Sequence, residues 1–205
     1  EKYKVEFLCS AFNVEDALFL SSLGVRSIKI PSHETYNTEL HRCASTEFDR
    51  SYVSLGAAAR SEVLDAIDIY NDAGCDWVAM HCVSSYPLTV DRANLDRIAW
   101  LKNYADVVGY SDHTESTFVP AAAVVKGASV IEKHFTVNNK LPGRDNKFAI
   151  LPNELKNSFA GGVDMLVDRV KTINIDNPFP GTNPELIDAA IFLENKSSEV
   201  QTYFL

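Results

Sequence analysis

The segment that decides the fold reads DVVGYSDHTESTFVPAAAVVKGASVIEKHF and spans residues 106–135. It opens with a short β-rich run, continues with a helical segment that closes on Gly127, and returns to a second β-rich run. A strand, a crossover helix and a second strand need about 30 residues when the loops are short. The segment therefore predicts a strand–helix–strand unit whose two strands are parallel.

The same unit recurs along the chain, with β-rich runs that start roughly 25 to 30 residues apart. Helical segments lie between most runs: one begins with Asn13 as an N-cap and closes on Gly24, and another closes on Gly74. The polar stretch TYNTELHRCASTEFDR predicts only a short helix. The predicted strands are KVEFLC, RSIKI, SYVSL, WVAMHC, DVVGY and SVIEKHF.

Six β/α units in series predict an α/β protein with a parallel sheet covered by helices. One solution is a (β/α)8 TIM barrel, and because it needs two further units we expect these to lie upstream. An open doubly wound sheet is the alternative, although no GxGxxG or GxxxxGK[ST] fingerprint for nucleotide chemistry is present. After the last strand, LPNELKNSFAGGVDMLVDRVKTI predicts a long helix, and a linker rich in Pro, Asn and Gly leads to a final helix, ELIDAAIFLEN. We therefore expect a partial barrel catalytic domain at residues 1–175 and a linker with a C-terminal helix at residues 176–205.

Composition narrows the class of partner. The formal net charge of -9 over 205 residues argues against a nucleic-acid-binding surface and against a basic membrane-binding patch. No apolar run approaches the length of a membrane span. The four cysteines show neither CxxC pairing nor the spacing of a disulfide framework, so we expect a reducing, cytoplasmic setting.

Polar side chains follow every predicted strand at the same end. In parallel β/α folds ligands bind beyond the carboxyl ends of the strands, so these side chains are candidates for one binding site. Taken singly, each serine also fits an N-cap or a turn. Glu34 is a candidate catalytic residue, and the candidate substrate-binding residues are Ser10, Lys29, Ser32, Ser54, Ser84, Tyr86, Ser111 and Glu132.

His113 and His134 end consecutive strands and should therefore lie side by side at the rim of the sheet. Two neutral imidazoles on neighbouring strands suit a borderline divalent metal and leave coordination positions for substrate or water. The alternative is that each is an isolated histidine with a hydrogen-bond partner of its own.

Two charged residues also have two interpretations each. Lys29 lies in the apolar run SIKI, where an unpaired ammonium is costly, so it needs an anionic partner. That partner is either a ligand phosphate or carboxylate, or a carboxylate of the sheet such as Glu132. Asp145 follows the turn signal Pro142-Gly143 and either returns over the site or forms an Asx turn at the surface.

Together these stretches resemble the sialic acid synthase family, the phosphoenolpyruvate-dependent synthases of N-acetylneuraminate and related nonulosonates. The resemblance covers about residues 7–160 and is most specific where GYSDHT is followed by GASVIEKHF. The other matching segments, in family order, are SAFN, LGVRSIKIPSHE, HCVSSYP and LPGRDNKFAILPNEL.

The resemblance implies a (β/α)8 barrel, normally followed by an antifreeze-like domain that these residues do not contain, and a homodimer for the full-length protein. It implies condensation of phosphoenolpyruvate with an acetamido sugar such as N-acetylmannosamine, and Mn²⁺ or Mg²⁺ held by His113 and His134. The residues that the resemblance implies as contacts to the sugar are Glu34, Tyr86 and Asp145. The positions matching the phosphate and carboxylate contacts of phosphoenolpyruvate are Ser10, Lys29, Ser32, Ser54, Ser84 and Ser111.

Two other functions stay open at this point. One is a catalytically impaired module of the same fold that binds metal and phosphoenolpyruvate without turnover. The other is a different metal-dependent barrel lyase or aldolase, for which the sequence holds no motif of comparable specificity.

Overall fold

The computed structural model describes residues 5–156 and the backbone of residues 201–204. Within these ranges seven strands form one parallel sheet in which every strand pairs with the next one along the chain. A doubly wound sheet reverses its strand order at a switch point, and this order does not reverse, so the open alternative is wrong for the described residues. The strands are Cys9–Ser10 (β1), Ser27–Ile30 (β2), Arg50–Ser54 (β3), Asp76–Cys82 (β4), Val108–Asp112 (β5), Val130–Lys133 (β6) and Gln201–Phe204 (β7).

The helices follow the strands in alternation, as the sequence predicts. Asn13 caps the first helix, where its side-chain oxygen accepts a hydrogen bond from the Asp16 amide at 2.7 Å. Gly74 ends the third helix in the left-handed region, at φ +63°. The helices are Val14–Ser22 (α1), Thr38–Glu47 (α2), Arg60–Ala73 (α3), Asp96–Leu101 (α4), Val119–Val125 (α5) and Pro152–Lys156 (α6).

The polar stretch after β2 holds more helix than its pattern indicates, because α2 runs for 10 residues. His41 lies on the buried face of α2, at a position where an apolar residue would be expected, and is 0% exposed. Its ring nitrogens lie 3.1 Å from the Tyr70 hydroxyl and 3.0 Å from the Thr35 carbonyl oxygen. Hydrogen bonds at both nitrogens offset the cost of burying the ring, so a polar residue serves as a core residue here.

A strand that was not predicted follows the region of the expected final helix. Residues 201–204 form β7, which pairs in parallel with β6. The motif QTYF is rich in residues of high β propensity, a signal that was present in the sequence. The final helix predicted at ELIDAAIFLEN and most of the long helix before it lie outside the described residues.

Side chains of the strands alternate between two apolar layers. On the convex face Ile28, Val53 and Ile131 join the main core between the sheet and the helices. On the concave face Tyr52, Val78, Met80 and Val130 form a second buried cluster. The concave cluster lies below the carboxyl ends of the strands and forms a floor there.

One ion pair shows that the sheet curls. Lys29 on β2 and Glu132 on β6 are four strands apart, a separation of about 19 Å in a flat sheet. Their Nζ and Oε1 atoms nevertheless lie 3.2 Å apart. The strands therefore bend round a common interior, and the concave side chains of β2 and β6 meet across it.

Two observations bear on the expected setting. None of the helices in the described part of the chain is long and apolar enough to cross a membrane. Cys9, Cys43, Cys75 and Cys82 are all free thiols.

Candidate active site

A cavity of about 330 Å³ opens at the carboxyl ends of the strands, on the concave side of the sheet. Eleven of the twelve residues predicted from the sequence line it, drawn from strands β1, β2, β3, β5 and β6 and from the loops that follow β2, β4, β5 and β6. These residues are Ser10, Lys29, Ser32, Ser54, Ser84, Tyr86, Ser111, His113, Glu132, His134 and Asp145.

Hydroxyl groups and one ammonium form one side of the cavity. The Ser32 and Ser84 Oγ atoms lie 3.1 Å apart, and the buried Oγ of Ser54 has no hydrogen-bond partner within the described residues. Lys29 pairs with Glu132, which confirms the sheet carboxylate as its partner in the free protein. The Oε2 atom of Glu132 is buried without a partner. Buried polar atoms left unpaired at one place indicate a site that completes its hydrogen bonds with a ligand.

The two histidines lie side by side, with ring centroids 5.7 Å apart. Nδ1 of His113 lies 2.7 Å from the Val83 carbonyl oxygen, which only accepts, so Nδ1 carries the proton and Nε2 keeps its lone pair. Ser111 Oγ lies 3.4 Å from that Nε2. Burial lowers the pKa of both histidines. For His134 this effect is larger than the opposite effect of the Asp145 carboxylate, which raises the pKa. Both rings are therefore neutral at neutral pH.

Neutral imidazoles with a free nitrogen are the form that binds a divalent metal. The hydrogen bond from His113 to Val83 is the kind of orienting contact that metal-bound histidines make through their second nitrogen. Within residues 5–156, no group of three or more His, Cys, Asp or Glu side chains is arranged as a metal site. The residues present thus fit a metal held by two imidazoles, with its other positions left to substrate and water.

An aromatic wall covers the histidine pair. The Tyr86 ring lies over His113 with centroids 4.2 Å apart and meets the His134 ring edge-on at 6.0 Å. Phe148 packs edge-on against His134 at 5.3 Å and also contacts the Tyr86 ring, with centroids 5.7 Å apart. Burial raises the pKa of Tyr86 to about 12, so its hydroxyl stays protonated and can donate a hydrogen bond to a ligand.

Asp145 returns to the cavity, as one of its two interpretations predicted. It begins a 3-10 turn at Asp145–Lys147, and its Oδ2 lies 3.9 Å from His134 Nδ1. Asn139 holds the loop by donating from Nδ2 to the carbonyl oxygens of Asn146 and Ala149, at 2.7 Å and 2.9 Å. The carboxylate is half exposed and faces the mouth of the cavity.

Glu34 is the one predicted site residue that does not line the cavity. It ends a 3-10 turn, Ser32–Glu34, and its Oε2 accepts a hydrogen bond from Asn37 Nδ2 at 3.0 Å. The Asn37 side chain in turn caps α2 by accepting from the Leu40 amide. Its other oxygen, Oε1, lies 3.9 Å from Nε2 of His33, which lines the cavity, so a local helix-capping arrangement holds this carboxylate at the edge of the site.

The sequence prediction missed several residues of the site. Phe12 and His33 line the cavity with their rings 5.3 Å apart, and the buried thiol of Cys82 lies 3.3 Å from Ser32 Oγ. Phe148 was missed as well. All four belong to segments already singled out as motifs, and three of them are apolar or thiol neighbours of the charged and hydroxyl groups that the prediction favoured.

A curled parallel sheet with a lysine, several hydroxyls and two neutral imidazoles at its carboxyl edge defines the ligand-binding end of a barrel-type α/β protein. The profile of the NeuB family matches residues 1–165, and the chain belongs to this family.

Several relatives are named as synthases of legionaminic acid, pseudaminic acid or N-acetylneuraminate 9-phosphate. The chain is 41% identical over 160 residues to the N,N'-diacetyllegionaminic acid synthase of Legionella pneumophila, covering 75% of this chain and 45% of that protein. It is 33% identical over 159 residues to the N-acetylneuraminate-9-phosphate synthase of Drosophila melanogaster, covering 76% and 43%. The chain thus spans less than half the length of these relatives.

The fold has solved counterparts. The N-acetylneuraminic acid synthetase of Leptospira borgpetersenii, solved with citrate, superposes with a TM-score of 0.74 at 30% identity. The match covers 96% of this chain and 66% of that one.

Proposed function

We propose that this protein is a transferase that condenses phosphoenolpyruvate with an N-acetylated hexosamine, giving a sialic acid-type nonulosonate and phosphate. N-acetylmannosamine or a related acetamido sugar is the acceptor. The named activities of its relatives support this class of product. The finer fold, a (β/α)8 TIM barrel, is part of the proposal and is supported by the curl of the sheet.

The observation that carries the proposal is the division of one cavity into two chemically different sides. On one side the Lys29 ammonium and the hydroxyls of Ser10, Ser32, Ser54, Ser84 and Ser111 offer a cation and neutral donors to a phosphate and a carboxylate. On the other side His113, His134, Tyr86 and Asp145 offer imidazoles, a phenol and a carboxylate to a polyhydroxy aldehyde. An anionic donor and a neutral sugar acceptor would meet between them.

The bond changes require little from the protein beyond orientation and charge. The C3 carbon of phosphoenolpyruvate forms a bond to the aldehyde carbon of the open-chain sugar, water adds at C2, and phosphate leaves by C–O cleavage. Mn²⁺ or Mg²⁺ bound to His113 and His134 would supply a Lewis acid toward the aldehyde oxygen. The Lys29 ammonium would balance anionic charge on the donor. Asp145 or Glu34 would hold a proton at the sugar.

The test is phosphate release from phosphoenolpyruvate with Mn²⁺ and a panel of acetamido sugars headed by N-acetylmannosamine. Lys29→Met should raise the KM for phosphoenolpyruvate, because the cation that faces the anion is lost. Lys126→Met, the same substitution at an exposed lysine paired with Asp96 outside the cavity, is the matched control and should leave turnover unchanged.

Absence of phosphate release with every sugar, in protein shown to bind the metal, would contradict the proposal. Calorimetric binding of phosphoenolpyruvate without turnover would instead identify an impaired metal- and phosphoenolpyruvate-binding module.

A further inference from the structure

A second buried ion pair lies directly behind the histidines. Lys133 Nζ lies 2.6 Å from Asp112 Oδ2 and 2.6 Å from the Thr114 carbonyl oxygen. Asp112 also accepts from the Thr114 amide at 2.9 Å, from Thr114 Oγ1 at 3.1 Å and from the Tyr110 hydroxyl at 3.2 Å. Both charged side chains are at most 3% exposed.

The strand alternation places this cluster between two sets of site residues. Asp112 and Lys133 are register partners across β5 and β6, and the preceding partners, Ser111 and Glu132, line the cavity. One residue further along, His113 and His134 line the cavity again. The ion pair therefore occupies the positions directly before both imidazoles, and Lys133, although it also borders the cavity, directs its ammonium to Asp112 and Thr114.

Stability alone does not account for such a pair. A buried ion pair often contributes no more to folding than a well-packed apolar pair of the same volume, because desolvation offsets the attraction. Its contacts are directional, however, whereas apolar contacts are not. Two short hydrogen bonds from Lys133 to Asp112 and Thr114 join the ends of β6 and β5. Three further hydrogen bonds, among Tyr110, Asp112 and Thr114, hold the Asp112 carboxylate in place.

We infer that the Asp112–Lys133–Thr114 cluster is a positioning element that sets the separation and orientation of the His113 and His134 imidazoles. The inference rests on the proposed function of that pair as a metal site. Neither Asp112 nor Lys133 acts on substrate in this role. Orienting residues behind metal-binding histidines typically change metal affinity about 10- to 100-fold when removed.

The test compares the parent protein with the double variant Asp112→Asn/Lys133→Met, which removes the pair without leaving an unpaired buried charge. The matched control is Asp96→Asn/Lys126→Met, the same two substitutions at an exposed pair whose atoms lie 2.8 Å apart. Two readouts are used: imidazole ¹⁵N resonances of the metal-free protein, and the visible absorption and affinity of bound Co²⁺. Circular dichroism and urea unfolding show that each variant is folded.

In the Asp112→Asn/Lys133→Met variant we expect changed resonances for both imidazoles, an altered Co²⁺ spectrum and about 10- to 100-fold weaker Co²⁺ binding. The exposed-pair control should match the parent in both readouts. Parent-like resonances in the buried-pair variant would overturn the inference. Failure of the parent itself to bind Co²⁺ would contradict the metal site of the proposed function, whereas the metal-free resonances would still decide the positioning role.

Should the double variant not fold, Thr114→Val gives the same information. It removes the hydroxyl that Thr114 donates to Asp112, which also accepts from the Ser116 amide, and keeps the backbone contacts of the cluster. The expected changes have the same direction and a smaller size. Imidazole resonances of Thr114→Val identical to those of the parent would refute the inference.

Discussion

The ion pair between Lys29 and Glu132 allows the curl of the sheet to be measured in solution. At 3.2 Å and an effective dielectric constant of about 20, the attraction between the two charges is about 5 kcal/mol. Water in the cavity screens part of it, so we expect a measured coupling energy nearer about 3 kcal/mol. In a flat sheet the charges would lie about 19 Å apart and would couple by less than about 1 kcal/mol.

The assay is a double-mutant cycle on the free energy of unfolding. Lys29→Met, Glu132→Gln and the double variant are unfolded in urea, followed by tryptophan fluorescence, without ligand or metal. Each single variant leaves one charge buried and unpaired, so each should lose about 3 to 5 kcal/mol. The double variant should lose far less than the sum of the two.

A cycle at the exposed pair Asp96 and Lys126 calibrates the method. Water and salt screen the attraction between exposed charges, so this cycle should be nearly additive. If the losses of the Lys29 and Glu132 single variants added as fully as those of the exposed pair, the reasoning would be refuted. Strands β2 and β6 would then not face each other across a common interior.

Three further predictions concern single residues. Tyr86→Ala should raise the pKa of His113 toward its ordinary value because the ring that buries it is lost, whereas Tyr86→Phe should not, as an NMR titration would show. Burial lowers the pKa of His81 to about 4 in the folded protein, whereas the pKa of the unfolded chain is near 6.5. The neutral buried ring therefore contributes its full stability above pH 6.5, and this contribution is lost as the pH falls through 4. That loss is on the order of 3 kcal/mol, and His81→Gln should flatten the melting temperature against pH in this window. Gly56→Ala should cost about 1 to 3 kcal/mol in urea unfolding, because its Cβ would lie 2.7 Å from the Cys82 carbonyl oxygen.

Much of the fold was predictable because its signals are local. Asn13 and Gly74 mark helix ends through their own side-chain and backbone chemistry, which a sequence displays directly. The site was predictable for a related reason. In a parallel sheet the residue after each strand arrives at the same edge, so strand ends alone place His113 beside His134.

The features that the sequence did not predict depend on distant or competing contacts. Glu132 was one of two partners that the sequence left open for Lys29, and the choice between them depends on the curl of the whole sheet, which no local pattern encodes. Glu34 follows the same strand-end rule as its neighbours, yet its carboxylate accepts a hydrogen bond from Asn37 and does not line the cavity. In α2 the buried position of His41 is stabilised by Tyr70 from another helix, and the polar pattern of α2 hides this contact.

The register of β6 follows from its charges rather than from its apolar residues. Val130 and Ile131 are adjacent and both buried, one on each face of the sheet. Either side chain could therefore lie on the concave face with a similar free energy of burial. Glu132 and Lys133 remove this ambiguity, since each has a buried partner of opposite charge on its own face. A slip of one residue would exchange the faces, bringing Lys133 toward Lys29 and Glu132 toward the carboxylate on β5. Two buried like-charge contacts would replace two ion pairs, so the register that directs His134 into the cavity is the one that electrostatics allows.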